Sequence, residues 1–84
     1  MVTVYKYPIN GTQLSLPLSA KVRHVGLDPY DRLSLWIELD TEEPKVPFNV
    51  FAIGTGSEVP AGVPFVGSIV AVPYVLHVYM GQAK

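Results

Sequence analysis

At 84 residues the chain has the length of one small domain, taken as a single unit over residues 1–84. Hydrophobic residues make up 49% of it and charged residues 15%, a balance that excludes an intrinsically disordered chain. A formal net charge of −1 excludes a general nucleic-acid binder, and the lack of cysteine excludes a disulfide framework and a thiolate zinc site.

Eight prolines and seven glycines punctuate the chain. The stretches between them carry no 3.6-residue apolar period but repeat as short runs rich in β-branched and aromatic residues, which predicts an all-β domain. The expected strands, in chain order, are Thr3–Tyr7, Gln13–Leu16, Lys21–Leu27, Arg32–Asp40, Val46–Ile53, Phe65–Val70 and Tyr74–Met80. Turn residues separate them at Asn10-Gly11, Asp28-Pro29-Tyr30-Asp31, Thr41-Glu42-Glu43-Pro44, the Gly54–Gly62 loop and Ala71-Val72-Pro73. This spacing predicts a small antiparallel β-sandwich or barrel of about six or seven short strands.

The central hairpin is the most legible part. Leu33, Leu35, Ile37 and Leu39 share one face of an alternating strand, and Arg32, Ser34, Trp36, Glu38 and Asp40 share the other. A four-residue loop over Asp28–Asp31 sets Arg23 opposite Trp36, Lys21 opposite Glu38 and Val22 opposite Ile37. In that register the guanidinium of Arg23 lies over the indole, and His24 falls on the apolar face. Trp36, turned to the polar face, is either covered by a second layer or stands as an interface anchor. The two C-terminal arms are apolar on both faces, as in strands buried on two sides or engaged in an oligomer interface, and His77 is expected opposite Gly67.

Side chains able to carry chemistry are few. Two histidines on separate strands make a poor metal site, and no serine sits in a G-x-S-x-G elbow. The run Glu38, Asp40, Glu42 and Glu43 reads as a solvated strand end and turn. In Gly54-Thr55-Gly56-Ser57-Glu58 two glycines permit positive φ, so successive N–H groups have the means to form an anion-holding nest, but the third glycine and the lysine of nucleotide-binding loops are missing. The candidate contact residues are therefore Arg23, Arg32 and Trp36 on the hairpin, with Gly54, Thr55, Gly56, Ser57 and Glu58 in the loop. No enzyme activity, cofactor or metal is expected. No apolar run has the length of a membrane span, and the N-terminus does not read as a signal peptide.

Several segments occur in an order shared with a known family: Tyr5-Lys6-Tyr7-Pro8, Leu16-Pro17, Leu35-Trp36-Ile37-Glu38-Leu39-Asp40, Phe51-Ala52-Ile53-Gly54-Thr55-Gly56, Phe65-Val66-Gly67-Ser68 and Val75-Leu76-His77-Val78-Tyr79. Along nearly its whole length the chain resembles a family of short tailed-bacteriophage proteins with a K-Y-P start, an L-W strand, a G-T-G loop and a late H-V-[FY] segment. It departs from that pattern at Ser57-Glu58, where the family carries histidine-proline, and at Leu76, where it carries tryptophan. The resemblance implies a phage origin and, with no leader or membrane segment, the host cytoplasm as location. It brings no catalytic residues. Three roles fit: an accessory protein that binds a host protein, an oligomer that sequesters a small anionic host nucleotide signal, or a virion component.

Overall fold

The computed structural model describes residues 1–11 and 13–83. Their seven strands are β1 (Val2–Pro8), β2 (Gln13–Pro17), β3 (Lys21–Leu27), β4 (Leu33–Asp40), β5 (Lys45–Gly54), β6 (Phe65–Ala71) and β7 (Tyr74–Gln82). They form two antiparallel sheets, one of three strands in the order β1-β4-β3 and one of four in the order β2-β5-β7-β6. The architecture is thus a small β-sandwich. Its slab measures 39 × 31 × 18 Å, so most of its surface lies on two broad outer faces.

Alternation along β4 places Leu35, Ile37 and Leu39 in the interlayer space, with Leu33 packed at its margin. Leu16 of β2, Phe48 and Val50 of β5, and Val78 and Met80 of β7 meet them from the facing sheet. The sheets come closest where β3 runs beside β6. A Cβ on Gly67 would lie 3.0 Å from Cγ2 of Val25, so the missing side chain is what admits the valine there.

The β3–β4 hairpin departs from the expected register. At the far end the pairs are as predicted, Lys21 opposite Glu38 and Val22 opposite Ile37, but a bulge between Val22 and His24 shifts the rest by one residue. His24, not Arg23, therefore lies opposite Trp36, and it sits on the outer face, not the apolar one. The connecting loop is correspondingly five residues long, Asp28–Arg32, and Arg32 belongs to it instead of opening the strand. In the C-terminal hairpin only Val72 and Pro73 separate the paired residues Ala71 and Tyr74, which moves His77 from the expected Gly67 to Ser68. There β7 is an interior strand and β6 an edge, and both leave one face outside the core.

Asp28 explains the longer loop. Its side chain is fully closed off from solvent. Oδ1 accepts the backbone N–H groups of Tyr30 and Arg32, each at 2.9 Å, while Oδ2 accepts Lys6 Nζ at 3.0 Å and Arg32 Nε at 2.8 Å. An Asx-type turn folds around the carboxylate, and Lys6 brings in β1 across the sheet. Asp31 takes φ of 60° to complete the loop, a conformation aspartate tolerates better than most residues. Ser34 is also fully buried, although its parity is outward. It lies between Pro8 and Gly26 of the flanking strands and donates to the Arg32 carbonyl at 3.1 Å.

Burial pushes the Asp28 carboxyl toward a higher pKa, but the hydrogen bonds from Arg32, Lys6 and Tyr30 outweigh it and hold the group well below the usual carboxylate range. Its contribution to stability is therefore complete above the unfolded-state value of about 3.9 and declines as pH falls below that point toward the lower folded-state value. Asp28→Asn is expected to melt at lower temperature than the wild type at pH 7, with the gap narrowing below about pH 4. Thermal unfolding followed by circular dichroism checks this, and a gap that stays constant down to pH 2.5 would contradict the assignment.

Candidate binding surface

Parity puts Val2, Val4 and Lys6 of β1, Trp36, Glu38 and Asp40 of β4, and Lys21 and His24 of β3 on the outer face of the three-stranded sheet. Trp36 stands on the central strand, with Lys6 opposite it on one side and His24 on the other. The indole is half-buried by these neighbours, and no further strand of the described residues lies over it. The imidazole of His24 tilts against it with ring centroids 5.1 Å apart. Gly26 makes room for this arrangement, since a Cβ there would come within 2.6 Å of His24 Nε2.

Freed by the bulge, Arg23 turns away from the indole to Glu38, with Nε–Oε1 at 3.2 Å and Nη2–Oε2 at 3.3 Å. The pair is forked but exposed, so its effect lies in shaping the surface more than in stability. Although Lys21 lies opposite Glu38, it makes no ion pair among the described residues. Arg32 is committed to Asp28, and its guanidinium also lies 5.4 Å from the centroid of the Tyr30 ring. Its role is thus to hold the loop. Of the hairpin candidates, Arg23 and Trp36 share the exposed face, joined by His24, expected on the apolar face, and by Lys6, which the sequence did not single out.

The loop candidates lie on the other sheet, beyond the end of β5. Ser57 N–H bonds the Gly54 carbonyl at 3.1 Å and Gly56 takes φ of 91°, so the segment is a turn. Thr55, Gly56, Ser57 and Glu58 are exposed, and Gly54 is half-buried. Thr55 is tied down by His77, whose Nε2 lies 2.9 Å from its hydroxyl while Nδ1 lies 2.7 Å from Ser68 Oγ. Glu58 is the one charged residue between Val46 and Ala83. Among the described residues the four-stranded sheet brings no lysine or arginine beside the loop: Lys45 opens β5 at the end opposite Gly54, Arg23 lies on β3 and Arg32 lies in the β3–β4 loop.

The outer face of that four-stranded sheet has a different chemistry. Phe51, Tyr79 and Phe65 lie directly across from one another on β5, β7 and β6, and the Phe65 and Tyr79 rings meet edge to face at 5.4 Å. Val75 and Val70 form the next exposed apolar pair toward the hairpin tip. Nothing in composition separated this face from a two-sided interior. The cue lay in the topology, which leaves β6 at an edge.

Over residues 1–84 the chain matches the model of a family described as Domain of unknown function (DUF7352), and it belongs to that family. Searches of curated proteins and of solved structures return no match. No helix among the described residues is long and apolar enough to cross a membrane, and those residues hold no group of three or more His, Cys, Asp or Glu side chains able to bind a metal ion.

The stack on Trp36 depends on the missing side chain at position 26. Gly26→Ala is expected to drive the His24 ring off the indole, raising acrylamide quenching of the tryptophan while the β-sheet circular-dichroism spectrum is kept. Unchanged quenching in a folded variant would show that the contact does not depend on that glycine.

Proposed function

We propose that the chain is a non-enzymatic bacteriophage accessory protein that acts in the host cytoplasm by binding a host protein through the outer face of its three-stranded sheet. The observation that carries this reading is Trp36, a half-exposed indole at the centre of a broad face, flanked by His24 and Lys6 and bordered by the Arg23–Glu38 pair. Tryptophan and arginine dominate binding hot spots, and a rigid aromatic anchor inside a polar rim is the usual anatomy of a protein contact. Val2 and Val4 extend the apolar part of the face along β1, where they are 63% and 48% exposed. The phage origin rests on the order of segments quoted above.

The nucleotide-sponge reading has less behind it, because Arg23 lies on a strand of the other sheet and Arg32 is held by Asp28. In the test, tagged chain is recovered from infected cells, and the co-purifying host protein is then titrated with the purified chain. One stoichiometric partner is expected, with Trp36→Ala weakening binding by about tenfold or more and Arg23→Ala weakening it less. Circular dichroism establishes that both variants stay folded. A partner bound equally well by Trp36→Ala sinks the proposed face. Recovery of the chain in purified virions, with no host partner, replaces this reading with that of a virion component.

A further inference from the structure

We infer that the outer face of the four-stranded sheet is covered by a second copy of the chain in a two-fold dimer. The chain exposes 5378 Å², about a tenth more than the ~4,900 Å² expected of a monomer of its mass. Part of the exposed apolar surface gathers on this face. Phe65 is 56% exposed, Val70 66%, Val75 40% and Val72, at the tip of the β6–β7 hairpin, 88%. With Val59 and the half-buried Phe51 and Tyr79 beside them, they leave on the order of 600 Å² of side chain uncovered, at the upper limit for a soluble monomer and close to the ~800 Å² each partner gives to a stable interface.

Two further properties favour a copy of the same chain as the occupant. The first is charge. Besides Glu58, the one charged residue from Val46 to Ala83, the sheet bears Lys45 where β5 opens, six residues from Phe51, so two such faces meet around their aromatic centre with almost no like charges opposed. Charged groups depleted in favour of aromatic and aliphatic ones is the composition of a homodimer core. The second is polar satisfaction. His77 stands amid the apolar face, but Ser68 and Thr55 engage both of its ring nitrogens. Those three side chains satisfy one another, so His77 can be covered without stranding a ring nitrogen. A two-fold axis then needs only the self-complementary apolar surface already present. A sandwich whose core holds eight buried hydrophobic residues among those described gains stability from such an association.

The inference concerns the face opposite Trp36 and does not depend on the host-binding reading, so the two fail separately. Light scattering is expected to give twice the 9.2 kDa chain mass, falling toward that mass on dilution over about two decades of concentration. Val70→Asp and Val75→Lys, which place a charge on the face at exposed positions, are expected to raise the dimer dissociation constant by at least about tenfold. Val4→Asp, on the other sheet, is expected to leave it unchanged. Should either face variant unfold, methyl spectra of the wild type decide: the Val70 and Val75 signals shift on dilution while those of Val2 and Val4 stay in place. A single-chain mass at every concentration overturns the inference. So do charged variants that remain dimeric, or dilution shifts confined to Val2 and Val4.

Discussion

Asp28 sits beneath the β3–β4 loop with its carboxylate closed off from water, accepting two backbone N–H groups, an ammonium and a guanidinium. A carboxylate in such a place is tolerated only when its oxygens are satisfied, and here the donors come from both the loop itself and β1. The loop is folded around the charge, so the residue at which β4 begins, and with it the parity that turns Leu35 and Ile37 inward, is set next to an electrostatic knot. Lys6 carries the same constraint into the third strand. The sheet that bears Trp36 is in this sense assembled around one anion.

How much of this was legible depends on whether the determining signal was local. The alternation of β4 is local, and it located both the core leucines and the outward tryptophan. The bulge in β3 is not: an inserted residue changes neither composition nor period, so Lys21 and Val22 were placed against their true partners while Arg23 and His24 were each displaced by one. The five-residue loop follows from what the Asp28 side chain accepts, and its Asp-Pro-Tyr-Asp sequence reads equally well as a shorter turn. Lys6 was missed as a neighbour of Trp36 because that contact follows from β1 pairing with β4 across the whole of β2 and β3. The C-terminal arms were legible as apolar on both faces, but only the strand order shows that one of those faces lies outside the core.

Charge is distributed unevenly along the chain, and the fold converts this into a difference between two surfaces. The residues before Val46 hold eleven of its charged side chains, and those from Val46 to Ala83 hold one. Because β1, β3 and β4 form one sheet while β5, β6 and β7 make up most of the other, the split in sequence becomes a split in space. One broad face is polar with an aromatic centre, and the other is nearly free of charge. A thin slab cannot hide either of them.

The close approach of His24 to Gly26 also bears on how the surface can vary. Where the imidazole lies, the floor beneath it is bare main chain, so the shape of the space beside the indole is governed by whatever stands at position 24. A smaller side chain there would open a slot along the edge of Trp36, and a bulkier one would fill it, with strand pairing and core left alone. The contour of this face is adjustable at a single residue, provided that position 26 stays empty.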